Sequence, residues 1–414
     1  MGGIAEREHL YRLMISQLHY DGYEGVAATL LQACGALPGI APSQRLFTAV
    51  QRGFEADDEK LGGPPKEKPS QAITQACLDL QFDSEDTKCS PSPAVYDMLY
   101  ATSHKAPCKV ACFNGSGRLA ATGSADSSIK VLDVDRMLAK MHKGTDDIHP
   151  VVRTFYDNTD TVTSLQFHPT QEILAAGSRD CTVKLFDHSK SAVKKALKTI
   201  QEVLPVTSIS FHYSGDYMLV ATQHPTLRLY NVATTQCYVS CNAADQHHGA
   251  VTSVGYASDY NVYASTSKDG AVKLWDAVSN RCISTWAAAH GGAEVSSAKF
   301  TKNGKYLLTA GKDSNVLLWE LSTGRVVNAY KGAAQALVSS PAVFNHTEDF
   351  VMMVDETSTS FASWDSRTGE MQRPLASGHT NSISYMAHSP IMPAFISCGD
   401  DFKMRFFYHH SNTL

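Results

Sequence analysis

The chain has 414 residues, 43% hydrophobic and 19% charged, and its 36 basic and 41 acidic residues leave a net charge of -5. That length buries a sizeable core in two or three domains, and the slightly acidic balance excludes bulk attraction to a polyanion. The opening "MGGIAEREHLYR" carries two acids and no apolar run of the signal-peptide kind. No later segment keeps the uninterrupted apolar length of a membrane span, so a soluble intracellular protein with no membrane contact is expected. Ten cysteines without a C-x-x-C pair point to reduced thiols rather than a disulfide framework.

Residues 6–34 place Leu10, Leu13, Met14 and Leu18 at helical spacing, then an Asp-Gly turn signal, then Val26, Ala27, Leu30 and Leu31. This predicts a helical hairpin, with a third short helix in "SQRLFTAVQRGF" capped by Ser43. So small a helical unit, over 1–54, buries its stripes most readily against a second copy or against the rest of the chain. Residues 55–93 are rich in charge, proline and glycine and predict an extended linker, in which the apolar island "AITQACLDLQF" is free to dock on the chain or on a partner.

From residue 94 to 414 the sequence repeats. "ADSSIKVLD" ends at Asp133, "RDCTVKLFD" at Asp187, "KDGAVKLWD" at Asp276 and "KDSNVLLWE" at Glu320, with weaker copies ending at Asn231, Asp365 and Tyr408. The interval is 43 to 45 residues except between the first two, where "DRMLAKMHKGTDDIHP" reads as an inserted loop. Each unit has an alternating stretch such as "TVTSLQFHP" or "AVTSVGYAS", the period of a half-buried strand. Because the last unit runs out at "FFYHHSNTL", "AVYDMLY" at 94–100 is expected to supply its outer strand and close the ring, leaving no unpaired edge at the seam.

This period and its terminal W-D dipeptide resemble the WD-repeat family, which implies a mainly β chain: a seven-bladed WD-repeat β-propeller with a small N-terminal α-helical dimerisation domain. The resemblance also implies a buried tetrad, matched in the fourth unit by His247, Ser265, Asp269 and Trp275. A Ser/His/Asp catalytic reading is set aside, because such a serine needs exposure beside an oxyanion hole and this constellation recurs from unit to unit. The other units are partial. Unit one keeps His104, Thr122 and Asp126 with Leu132; unit seven keeps His379, Ser397 and Asp401 with Phe407. Unit two has Asn158 for the histidine, and unit five has a displaced His290 with Thr309, Asp313 and Trp319. Units three and six lose the turn aspartate, to His224 and Ser358, and are expected to lean on apolar packing.

The residue before the turn aspartate tends to face the top rim in that family, which makes Arg179, Lys268 and Lys312 the candidate partner-binding rim; Ala125, Gln223, Thr357 and Asp400 hold the other positions. These cations either contact an acidic or phosphorylated tail or merely keep the rim solvated. No metal site is expected, since Cys237 and Cys241 straddle a strand and a loop and His247 is engaged elsewhere. No phosphate loop, cofactor site or catalytic group stands out, so no enzyme is expected.

The N-terminal pattern of Leu10, Leu13, Met14, Leu18, Gly22, Tyr23, Ala27 and Leu30 resembles LisH-type dimerisation motifs. Together with "HLYRLMISQLHYDGYEGVA" and "TSHKAPCKVACFNGSGRLAATGSADSSIKVLD", the whole chain resembles the WD-repeat subunits of cleavage stimulation factor, which act in pre-mRNA 3′-end cleavage and polyadenylation. That resemblance implies a nuclear, non-catalytic scaffold that homodimerises through its N-terminal helices. It further implies binding to the tetratricopeptide-like subunit of the complex, contact with the RNA polymerase II C-terminal tail, and at most indirect or weak RNA contact. The absence of an RNP-type aromatic motif agrees with the last point. Other scaffolds that pair a LisH motif with WD repeats, such as motor regulators or ubiquitin-ligase substrate receptors, share the same two parts.

Overall fold

The computed structural model describes residues 14, 15, 18, 27, 28, 78, 80, 90–143, 149–190, 194–258 and 261–409. The chain divides into two compact units, Met1–Thr74 and Gln75–Leu414. In the first, the described residues are helical, with Ile15 and Ala27 buried, Leu18 half-buried and Met14 37% exposed.

The second unit contains seven four-stranded antiparallel sheets, each built from consecutive strands except one. The exception joins Asp97–Ser103 to Lys403–Tyr408, Ala394–Gly399 and Ile383–His388, so the first strand of the unit is the outer strand of the seventh blade. The expected closure is therefore made, three residues later in sequence than "AVYDMLY" suggested. A short 3-10 turn, Pro93–Val95, precedes it, with Ser92 capping the Ala94 N–H.

Strand formation follows from alternation. Inner strands such as Val162–Phe167 bury Val162, Leu165 and Phe167, and second strands such as Ile173–Ser178 are buried on both faces because neighbouring blades stack on them. The long interval between the first two units is in part a helix, Val134–Lys143, rather than a loop. The Asp133 side chain accepts from the Arg136 N–H at its start, and Val134 and Met137 are buried in the core shared by blades one and seven.

A register shift recurs after the first pair of the inner strand in every blade except the sixth. The bulged residues are Lys109, Thr163, Thr207, Thr252, Ser296 and Ser384. Their side chains stitch blade to blade: Thr163 Oγ1 donates to the Val206 carbonyl at 2.6 Å, Thr207 to Val251 at 2.7 Å and Thr252 to Val295 at 2.5 Å. The next serine works in reverse, with Ser164 Oγ accepting from the Ile209 N–H and Ser297 Oγ from the Ala342 N–H. At the seam Lys109 reaches back to Ser384 and Asp400 of blade seven.

Candidate interaction surface

Strands two and three of each blade meet in a tight turn that presents a polar side chain beneath one face of the ring, here called the top. In blade five His290 Nδ1 lies 2.9 Å from Asp313 Oδ1 and Nε2 lies 2.9 Å from Thr309 Oγ1, which also accepts from the Trp319 indole N–H at 2.9 Å. The histidine that looked displaced in sequence thus completes a four-membered chain. Blade four brings His247 Nε2 to Ser265 Oγ at 2.7 Å and the Trp275 N–H to the same oxygen at 2.8 Å, while Asp269 stands 3.6 Å from His247 Nδ1, beyond hydrogen-bond reach. Blade seven joins Asp401, His379 and Ser397 at 2.9 and 2.8 Å, with Phe407 in the indole's place. In blade one Ser128 relays between Asp126 and His104, a partner that the sequence reading missed.

Burial disfavours the charged form of three of these histidines, His247, His290 and His379. Burial pushes His247 down to about 4 against the pull of Asp269, and burial likewise lowers His290 and His379. Asp269 moves the other way from its burial: the N–H groups of Ala271 and His248 outweigh desolvation and hold the carboxyl below its ordinary value. Ser265 is fully buried, and its oxygen already serves two partners. A side chain so placed orders a blade and has no opening toward a substrate.

Three blades depart from this pattern. Asn158 of blade two is 4% exposed, and neither of its amide atoms has a hydrogen-bond partner among the described residues. Blade three replaces the chain with an ion pair between buried Glu202 and Arg228, and its turn with His224, whose Nδ1 accepts the Thr226 N–H as the aspartate would. In blade six Asp355 takes the turn's acceptor role, receiving the Ala334 and Thr357 N–H groups and the Ser358 hydroxyl. Its tryptophan, Trp364, donates instead to the Lys331 carbonyl at 2.9 Å.

The rim residue of every blade is marked by one backbone bond to the preceding loop: Ala125 to Pro107, Arg179 to Thr161, Gln223 to Pro205, Lys268 to Ala250, Lys312 to Glu294, Glu356 to Ala334 and Asp400 to Ser382. Glu356 makes this bond in blade six where Thr357 was expected, and the turn after it is one residue longer than in blade five, with Val354 paired to Phe361 and the left-handed residue, Thr359, directly after Ser358. The correction arises because the blade-six strand Phe350–Asp355 ends in an acid where its counterpart, Tyr306–Gly311, ends in glycine. Arg179 and Lys268 are exposed, whereas Lys312 is half-buried and paired with Glu294 at 3.0 Å. Glu356 accepts the N–H groups of Ala336 and Leu337, fixing a loop on which Leu337 is 83% exposed, and Asp400 is held by Lys109 at 2.6 Å. The rim is thus two-signed, cationic on blades two, four and five and acidic on six and seven.

Of the remaining residues singled out in the sequence, Leu10, Leu13, Gly22, Tyr23 and Leu30 lie outside the described residues. Ile15, fully buried, was absent from the predicted stripe. Cys237 and Cys241 are exposed, and no group of three or more His, Cys, Asp or Glu side chains is placed to hold a metal ion among the described residues.

Comparison with known proteins gives the following. Residues 3–58 match the cleavage stimulation factor subunit 1 dimerisation domain, and residues 98–133, 150–187, 239–276 and 280–320 match the WD domain, G-beta repeat. The chain is 36% identical over 406 residues to cleavage stimulation factor subunit 50 of Arabidopsis thaliana, covering 96% of this chain and 94% of that protein. More distant similarity is to nuclear distribution protein nudF of Aspergillus niger, 25% identical over 45% of each chain. Pre-mRNA-processing factor 19 of Mus musculus is 28% identical over 37% of this chain and 28% of its own.

Proposed function

We propose that this chain, which belongs to the cleavage stimulation factor subunit 50 family, is a non-catalytic scaffold in pre-mRNA 3′-end cleavage and polyadenylation. The observation that carries the reading is the pairing, in one chain matched almost end to end, of a dimerisation domain at 3–58 with a closed seven-bladed ring. Dimerisation through the N-terminal helices, by Leu10, Leu13, Met14, Leu18, Tyr23, Ala27 and Leu30, makes the chain bivalent. Two rings held together bind a partner with two sites more tightly than either ring alone.

On this reading the ring binds the tetratricopeptide-like subunit of the same complex and the RNA polymerase II C-terminal tail, and the protein works in the nucleus. The rim cations Arg179 and Lys268 are the contacts for acidic or phosphorylated segments. The tetrads are structural, since their histidines are buried and held within the blade, His290 by Asp313 and Thr309 and His379 by Asp401 and Ser397. RNA contact is indirect or weak, in keeping with a net charge of -5.

The test is the solution mass, by light scattering, of the full chain and of a truncation beginning at Gln75. A dimeric full chain with a folded monomeric truncation supports the scaffold; two monomers remove its bivalence. Native pull-down separates this reading from motor regulators and ubiquitin-ligase receptors by the partners recovered.

A further inference from the structure

Antiparallel strands put the loop between the inner and second strands at the end opposite the rim turns, so these loops form the floor of the ring. In blade three the tyrosine that opens the second strand, Tyr217, is 38% exposed on that floor. Its counterpart in blade five, Tyr306, is 1% exposed. What covers Tyr306 comes from the presumed linker. Leu78 is 2% exposed and packs into the core shared by blades five and six, with Tyr306, Val351 and Trp364, and Leu80 packs partly buried against the same cluster.

Polar atoms complete the fit. The Leu78 N–H donates to Glu348 Oε2 at 3.0 Å, its carbonyl accepts from Asn303 Nδ2 at 2.7 Å, and the Leu80 N–H points at the Tyr306 hydroxyl at 3.4 Å. Glu348 is built for this task. It is 2% exposed, sits at φ 64, and spends its other oxygen on the Lys302 N–H at 2.6 Å. Burying a carboxylate is costly unless several donors converge on it, and here a ring amide and a linker amide do so. Further along, Ser90 accepts from Asn345 at 2.8 Å, and Tyr96 is buried against Phe395 and stacks on His409.

We propose that the floor of blades five and six carries a socket for a leucine-bearing peptide segment, formed by Asn303, Tyr306 and Glu348, and that the chain's own Leu78 fills it in cis. The segment then fastens under blade six through Ser90 and under blade seven through Tyr96 before entering the outer strand at Asp97. The recognised chemistry is a backbone N–H and carbonyl, paired to Glu348 and Asn303, plus a branched aliphatic side chain. For the dimer of the proposed function, an anchor at Leu78 lies nearer the dimeriser than the outer strand at Asp97 by up to about 60 Å of contour in each chain.

Hydrogen exchange on the full-length protein tests the socket. In the wild type the Leu78 amide is expected to exchange about 100-fold more slowly than in an unstructured peptide, from one buried leucine and its backbone bonds. Leu78→Asp should abolish that protection while the blade-four strand Val262–Ser267 stays protected. Glu348→Gln, which keeps one acceptor oxygen but turns an NH2 toward a second N–H, should weaken it selectively. A synthetic peptide copying residues 74–86 should bind the Leu78→Asp protein and not the wild type, whose socket is filled.

Unstructured-rate exchange of the wild-type Leu78 amide, or peptide binding that is equal in both proteins, would overturn the proposal. So would a disulfide between Leu78→Cys and Asn303→Cys that joins two chains rather than closing within one. All three readouts concern the ring and segment alone, so they remain informative if the chain proves monomeric and the scaffold reading fails.

Discussion

Thr163 Oγ1 lies 2.6 Å from the carbonyl oxygen of Val206, one blade further round the ring, and 3.1 Å from the Gly177 carbonyl of its own blade. The same side-chain position makes the same reach from Thr207 and Thr252. A hydroxyl on the bulged residue is thus a repeated clasp between neighbouring inner strands. Thr163→Val should lower unfolding free energy by about 1 kcal/mol, and Thr163→Ser by less. Urea unfolding of the two variants checks this; a Thr163→Ser loss larger than that of Thr163→Val would assign the effect to packing of the methyl group instead.

Blade five supplies a sharper test. Thr309→Val leaves His290 Nε2 without its donor and the Trp319 N–H without its acceptor in a fully buried site. The expected cost is about 2 to 4 kcal/mol, above that of the clasp, because two buried groups are orphaned at once. Blade two should respond in the opposite sense. Asn158→Leu removes two already unpartnered amide atoms at similar volume and should leave stability unchanged or raise it by about 1 kcal/mol. A melting-temperature comparison of both variants with the wild type decides whether polar pairing or its mere presence matters.

Stability should also depend on pH, with a sign set by the buried histidines. Burial holds His247 at about 4, so between its ordinary value near 6.5 and about 4 the unfolded chain takes up a proton that the folded chain refuses. Folding stability is therefore fully present above pH 6.5 and is lost as pH falls toward 4, by on the order of 3 kcal/mol for this one group. His346 and His388, lowered by burial to about 4 and about 3, add to the same slope. Glu348, raised by burial, opposes it. Urea titrations from neutral to mildly acid pH, with the His247 ring followed by NMR, should show declining stability and an imidazole neutral down to about pH 4.

How much of this was legible depended on how local the determinant is. The blade period, the seam and the blade-four residues Ser265, Asp269 and Trp275 are written in short strings, because a strand and its turn are consecutive residues; that Asp269 stops 3.6 Å short of His247 is not. His290 was harder, since its distance from the turn is set by a loop that carries two glycines at positive φ, Gly291 and Gly292, before the strand begins at Val295, and no spacing rule fixes that loop's length. The rim of blade six slipped by one residue because an acid at the strand end, Asp355, stands in for the aspartate of the turn. The Leu78 contact was legible only as an apolar island free to dock on the chain or on a partner, not as a place on the ring. Its partners Asn303 and Glu348 are 225 and 270 residues away, and only the stacking of blades five and six brings them together.

The two-signed rim makes one further prediction about partners. Arg179 and Lys268 are exposed, whereas Lys312 already spends its charge on Glu294, so only the first two are free to meet an acidic ligand at full strength. The paired substitution Arg179→Glu and Lys268→Glu should weaken binding of a phosphoserine peptide about tenfold or more, mainly through slower association, and flatten its dependence on ionic strength. Lys312→Glu is the poorer test, because it sets a second carboxylate against Glu294 and disturbs the turn it is meant to probe. Fluorescence anisotropy at low and high salt reads both effects. An affinity unmoved by the double reversal would leave Arg179 and Lys268 as solvating charges, and would shift attention to the acidic side of the rim, where Glu356 and Asp400 flank exposed Leu337 and would select a basic, apolar segment instead.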